Sequence, residues 1–347
     1  MQIGMHFENG WIHRYIIDGQ EKIEKEPVKM QTSWEEYVEN SFLKHHGQAQ
    51  IGVVMDPMTP AVVAEIENLR TRTELSTNQL KLYTKEEAVL GLVRCQGNDL
   101  NRGKTVLFDY TQNKFICYEV GKNAGRISVE KHDFTSEISG AESKMEKDQA
   151  FKRIITKALA KGVTTTAYLY GEGFEGQWFH ESTQILCSGR RVFTGENLYA
   201  CGAAYLSGET AVGAQQEEAV ILTDNMVMHQ IGMTLHHHGK DIFWPVIKGG
   251  RPWFESSGEM VVTVSDISGF TMEVRDDKNC KVAMISFPLS GIIKKKDVVY
   301  KLKIQAEYLS EDQCKIKVSD QGFGALRPST HQVWQQVVYM ERSDVYE

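Results

Sequence analysis

The chain changes its pattern near residue 220, and that change constrains its fold more than any other feature. Up to that point, apolar strand-like runs alternate with segments of helical periodicity. Beyond it, short alternating segments follow one another with turn residues about every 8–12 positions, as in an all-β module. The expected architecture is therefore an α/β domain followed by an all-β domain, the latter a sandwich. With 347 residues there is room for both, since single cores stop growing at roughly 250–300 residues. The small, polar run 208–216 is the expected linker, which gives domains of 1–216 and 217–347. The segment Val220-Ile221-Leu222-Thr223-Asp224 is expected to be extended, as linker or first strand.

Within the first domain the order of elements is explicit. Met5, Phe7, Trp11, Tyr15 and Ile17 alternate around the turn dipeptides Asn9-Gly10 and Asp18-Gly19, which spells a β-hairpin. A short helix around 33–38 and a buried strand over 51–55 follow. Thr59 and Pro60 then open a helix over 59–72 as N-cap and first-turn proline. A strand at 79–82 leads to a helix over 84–92, with Thr84 and Glu87 spaced as a capping box. A strand pair at 105–110 and 114–120 comes next, then a polar stretch, 121–147, expected to hold one short strand at 127–129. Phe151, Ile154, Ile155 and Ala158 mark an amphipathic helix over 146–161. Thereafter come a strand at 165–169, a glycine turn at 171–176, a helix at 180–186, a strand at 191–193 and a small-residue helix over 196–205 suited to close packing.

Composition excludes several functions. A formal charge of −7 argues against a nucleic-acid partner, which needs a basic face to displace counterions. The dense basic run Lys294-Lys295-Lys296 is read as a solvated turn. The six cysteines are spread singly, with no C-x-x-C pair, and read as reduced thiols. Residues Met1 to Phe7 lack the features of a signal peptide, and no stretch has the ~20 apolar residues of a membrane span. A cytoplasmic protein without a membrane partner is expected.

A resemblance enters through motifs in collinear order. Ile3-Gly4-Met5-His6-Phe7, Lys85-Glu86-Glu87-Ala88, the strand ending at Asp109, Tyr170-Gly171-Glu172-Gly173 and Glu196 to Ala204 resemble, in sequence order, the nucleotide-domain motifs of DnaK-type heat-shock chaperones. Val220 to Asp224, Ser286 to Ile292 and Ile316 to Gly324 are similar to that family's interdomain linker and peptide-binding module. The resemblance implies a minimal actin-like, ribonuclease H-like domain and a peptide-binding β-sandwich without the helical lid. It also implies that Asp109, Gly171, Gly173 and Gly202 stand at a vestigial nucleotide site, and that an extended peptide, a protein or a full-length DnaK-type chaperone is the partner.

The departures from that family matter as much. His6 replaces a magnesium-site aspartate; Glu8, Asn9, Gly10 and Trp11 replace one phosphate loop; Thr111, Gln112 and Asn113 replace the glycines of the other. Side chains there fill the volume into which backbone N–H groups must bring phosphate. The expectation is a pseudo-ATPase with no catalytic residues and no cofactor, neither ATP nor magnesium, acting as a chaperone-like adaptor. Two other readings stand beside it: a divergent ATPase or sugar-kinase relative using Asp109 to hold magnesium, and a structural assembly protein. Trp244 and Trp253 are expected to be partly exposed and to carry partner binding. His236, His237 and His238 are read as exposed turn residues and not as a metal site, and Gly171 to Gly176 matches a dinucleotide motif in letters only.

Overall fold

The computed structural model describes residues 1–44, 49–97, 102–123, 126–160, 162–176, 178–208, 220–222, 225–265, 269–276, 279–289 and 299–340. Gly208, first residue of the expected linker 208–216, ends a helix instead, and the rest of that linker and the Lys294-Lys295-Lys296 run lie outside the described residues. The chain divides into two units, Met1–Thr223 and Asp224–Glu347.

The first unit is one topology written twice. Its first copy runs β1 (Gln2–Glu8), β2 (Trp11–Asp18), β3 (Glu21–Lys29), α1 (Trp34–Lys44), β4 (Gln50–Val54), α2 (Pro60–Thr73), β5 (Leu80–Tyr83) and α3 (Lys85–Cys95). The second runs β6 (Lys104–Thr111), β7 (Lys114–Asn123), β8 (Arg126–Asp133), the short α4 (Thr135–Ser139), α5 (Lys144–Leu159), β9 (Thr164–Tyr170), α6 (His180–Cys187), β10 (Arg191–Thr194) and α7 (Leu198–Gly208). The first sheet has the order β3-β2-β1-β4-β5. β1, β2 and β3 form an antiparallel meander, and β4 and β5 join parallel to β1. The second sheet repeats this as β8-β7-β6-β9-β10, again a meander with two parallel additions. A duplicated sheet of this kind is the actin-like fold that the sequence resemblance implies.

Small residues decide how the copies meet. A Cβ on Gly202 of α7 would stand 1.8 Å from the Ala88 carbonyl oxygen of α3, and one on Gly4 of β1 would stand 1.8 Å from the Ala200 carbonyl oxygen of α7. α7 thus lies backbone to backbone against both α3 and β1, which brings the first strand of one copy close to elements of the other. Ala88, Leu92, Leu107, Tyr118, Val129, Tyr199 and Ala203 close a core between the sheets. Phe108, Phe115, Phe151, Ile154 and Trp178 fill a second core under α5.

One strand was not anticipated and two local expectations are corrected. The charged segment Glu21–Lys29 is a strand, because β2 offers it a ladder that its own composition does not advertise. The stretch read as mostly loop holds the eight-residue β8, paired with β7 along its length. Val220–Leu222 is extended, but as a strand, β11, parallel to Ser128–Glu130 of β8, so it belongs to the first unit's sheet and the division falls after it, beyond residue 216.

The second unit is all-β. One antiparallel sheet orders its strands as Lys240–Ile247, Gln230–His237, Gly269–Arg275 and Lys281–Pro288; the other as Ser257–Ser265, Val299–Tyr308, Gln313–Asp320 and Val333–Tyr339. They meet closely where a Cβ on Gly258 would lie 1.9 Å from the Val246 carbonyl oxygen. Alternation along Val299–Tyr308 buries Tyr300, Leu302, Ile304 and Ala306 on one face. Among the described residues of both units, no helix is long and apolar enough to cross a membrane.

Candidate functional site

Each copy begins with a hairpin closed by a two-residue turn in the left-handed region: Asn9 and Gly10 between β1 and β2, Gln112 and Asn113 between β6 and β7. These are the positions at which the resemblance implies phosphate loops. Both are closed so tightly that Glu8 pairs with Trp11, and Thr111 with Lys114.

At the strand ends beside these turns the two copies share a buried ionic cluster. Lys85 is the first residue of α3, placed there by the capping box that Thr84 and Glu87 form. Its ammonium donates to Glu8 Oε1 at 2.8 Å and to Asp109 Oδ2 at 3.0 Å, and Asp56 lies 3.8 Å away. Asp109 is itself buried; Tyr199 of α7 donates to its Oδ2 at 2.6 Å, and the Thr111 hydroxyl donates to its Oδ1. The Lys85 ammonium also sits 4.9 Å from the Tyr199 ring centre, a cation–π approach. A cation at a helix N-terminus opposes the helix dipole, so neighbouring carboxylates must hold it there.

The titration directions follow from this packing. Burial alone would lower the Lys85 pKa, but Asp109, Glu8 and Asp56 outweigh it and hold the ammonium well above its usual value. Burial raises the Glu8 carboxyl, opposed by the Lys85 charge. Tyr170 is raised by burial and by Glu8 and Asp109, and Tyr199 by burial and by Asp109. His6, fully buried, is pushed well below its usual range by burial, then by Lys85 and His13, so it is neutral.

His6 and Glu8 project on one face of β1 by strand alternation, and His13 of β2 pairs directly opposite His6. One donor atom from each of these three lies within 4.8 Å of the others. Tyr170, at the end of β9, reaches across from the second copy to Glu8 Oε2 at 2.9 Å and His6 Nδ1 at 3.2 Å.

Magnesium and ATP, which an actin-like fold implies, do not fit these residues. Lys85 stands between the two carboxylates that would face the metal, at 2.8 and 3.0 Å. The Gln112 backbone N–H, which a phosphate would need, donates instead to the Glu172 carboxylate at 2.7 Å. The protein's own cation and anion therefore hold both positions.

The residues singled out from sequence separate in space. Asp109 is the centre of the cluster. Gly171 and Gly173 pack on Tyr110, where a Cβ would come within 2.4 and 2.3 Å of it, and Gly202 serves the α3–α7 contact; close packing accounts for all three glycines. Trp244 is 56% exposed, whereas Trp253 is 3% exposed, which corrects its expected exposure: it opens a short 3₁₀ turn that folds inward from Pro252. His236, His237 and His238 stand at the exposed tip of a hairpin, with His236 3.0 Å from Asp241. Sequence reasoning missed Lys85, Glu8, His6, His13, Tyr170 and Tyr199 as a group. The hairpin register of β1 and β2 was signal enough for His6, Glu8 and His13.

A family model described as "Family of unknown function (DUF5716) C-terminal" matches residues 30–224, and one described as "Domain of unknown function (DUF8552)" matches residues 226–340. No curated protein sequence matches the chain. Among solved structures, the chain is similar to an inorganic polyphosphate/ATP-glucomannokinase from Arthrobacter sp. strain KM, at 13% identity and a TM-score of 0.40, over 59% of this chain and 97% of that one. A ROK hexokinase from Thermus thermophilus is 11% identical with a TM-score of 0.37, over 59% and 97% of the two chains. An activator of 2-hydroxyisocaproyl-CoA dehydratase from Clostridium difficile, with bound ADPNP, is 10% identical with a TM-score of 0.37, over 59% and 93%. Likeness this slight carries nothing about activity to this chain.

Proposed function

This chain belongs to the DUF5716 family of unknown function, and we propose that within it the first unit is a non-hydrolysing actin-like scaffold while the second unit binds a partner. The observation that supports this most is the Lys85 ammonium bridging Glu8 and Asp109 at 2.8 and 3.0 Å, from opposite copies of the duplicated fold. An ATPase of this topology needs a metal-bridged phosphate at such a junction. Here an internal ion pair ties the copies without a ligand, and the fold is closed by its own residues.

The second unit supplies the binding surface in this reading, as in the chaperones that the sequence resembles. Lys240–Ile247 is the end strand of its sheet and carries Trp244 and Ile242, 56% and 41% exposed. Phe243 turns to the other face, under the Arg275 guanidinium at 3.9 Å. An end strand with outward apolar anchors suits an extended peptide or protein partner that adds along it.

Thermal unfolding with and without magnesium ATP tests the scaffold role. A ligand at 100 times its Kd stabilises by about 2.7 kcal/mol, which is about 5–11 °C for a domain of this size. No shift is expected up to millimolar nucleotide. A magnesium-dependent rise of that order, or ATP turnover lost in Asp109→Asn, would overturn the proposal and favour the divergent-kinase reading.

A further inference from the structure

The β1–β2 hairpin carries two buried ring nitrogens that the ionic cluster does not use. His6 Nε2 and His13 Nδ1 are both shielded from solvent and have no hydrogen-bond partner among the described residues. A buried acceptor left this way costs about 1–3 kcal/mol, so a pair of them on one face asks for an explanation.

Their protonation follows from the neighbouring network. Tyr170 has a single hydroxyl proton, and the Glu8 carboxylate, which can only accept, takes it at 2.9 Å. The 3.2 Å contact between Tyr170 and His6 Nδ1 therefore runs the other way, with the ring N–H donating to the tyrosine oxygen. That leaves Nε2 of a neutral ring as a bare lone pair. His13, directly opposite His6 on the paired strand, likewise leaves its Nδ1 buried without a partner. His6 thus fixes one nitrogen as donor to an oxygen and leaves the other bare, and one donor atom of each histidine lies within 4.8 Å of the other and of a Glu8 oxygen. Metal-ligating histidines are oriented by this same outer bond.

We propose that His6, Glu8 and His13 form a binding site for a divalent transition metal ion of the zinc class. Two imidazoles and a carboxylate are a common zinc donor set, with a fourth position left to water. The donor atoms lie within 4.8 Å of one another, and His6 Nε2 is 4.0 Å from Glu8 Oε1. Tetrahedral zinc with bonds of about 2.0–2.1 Å brings its ligands to ~3.3 Å apart, a contraction within reach of a glutamate side chain and a cross-strand histidine. The charge balance favours a cation despite Lys85: Glu8, Asp56 and Asp109 set three carboxylates against one ammonium. Glu8 keeps lone pairs beyond those given to Lys85 and Tyr170, and its side chain, 15% exposed, leaves an approach from solvent.

The test uses the metal-stripped full chain carrying His236→Gln, His237→Gln and His238→Gln, so that the exposed hairpin histidines do not contribute. Calorimetric titration with zinc chloride, without nucleotide, is expected to give one equivalent bound, and adding His13→Gln should weaken binding at least ~10-fold, the lower bound seen when even outer partners are removed. Cobalt substituted into the same protein should show the strong visible bands of a tetrahedral ion, which keeps the test open if His13→Gln does not fold. Absence of zinc binding, affinity unchanged by His13→Gln, or a weak octahedral cobalt spectrum would each overturn the site. None of these outcomes depends on whether ATP binds.

Discussion

Replacing Lys85 with Met removes the ammonium from the cluster and keeps most of its apolar stem. Glu8 and Asp109 are then left facing each other across the two copies, with Asp109 buried and Glu8 nearly so. Breaking a buried pair by deleting one partner costs about 3–5 kcal/mol, because the remaining charge is stranded away from water. For a domain of this size that is a fall in Tm of about 6–20 °C. The loss depends on pH in a definite direction. The folded-state pKa of Glu8 is raised by burial even with Lys85 present, and removing the ammonium raises it further. A carboxyl whose folded pKa lies above its unfolded one contributes stability fully present below the unfolded value and lost as pH rises through the folded value. The gap between wild type and Lys85→Met is therefore smallest at acid pH and widens toward neutrality. Chemical denaturation across that pH range measures it. A double variant with Asp109→Asn should lose less than the sum of the two single losses, since both act on one interaction. A Lys85→Met protein as stable as wild type at neutral pH, or strictly additive losses, would refute the claim that this ion pair ties the copies together.

Two further outcomes are expected from the packing. Gly202→Ala places a methyl 1.8 Å from the Ala88 carbonyl oxygen, and backbone on both sides leaves little to yield, so a loss of about 1–3 kcal/mol or more is expected in thermal unfolding. Trp244→Phe should lower the acrylamide-quenchable fluorescence of the chain more than Trp253→Phe does, given their exposures of 56% and 3%; Trp244→Ala should change stability by less than ~0.5 kcal/mol.

Much of the architecture was legible because it rests on local rules. Asn9-Gly10 announced the first hairpin, Thr59-Pro60 the start of α2, and Thr84 with Glu87 the capping box of α3, and these form as the residue chemistry dictates. The small-residue run in α7 announced close packing for the same reason: only residues without bulk let backbones touch. The alternation after residue 220 sufficed for an all-β unit. Three features escaped. β3 and β8 owe their conformation to a neighbouring strand's free hydrogen bonds, and charged sequences such as Glu21–Lys29 carry no mark of that. Trp253 reads as a surface anchor beside prolines but is turned inward by its 3₁₀ turn.

The site divides along the same line. By itself, the sequence determined that Thr111, Gln112 and Asn113 stand where the resembling family has glycines, because glycines cannot be supplied by the fold. The shared face of His6, Glu8 and His13 went unread although strand period and hairpin register are local properties that carry it. Only the tertiary structure decided what Glu8 and Asp109 pair with. Lys85 is 24 residues from Asp109 and 77 from Glu8, and Tyr199 is 90 from Asp109. They meet because two copies of one topology pack through α3 and α7, and burial turns that meeting into an ion pair strong enough to hold the lysine charged. Chain order holds no record of such distances, whereas the low dielectric in which the charges interact exists only once both copies have closed over them.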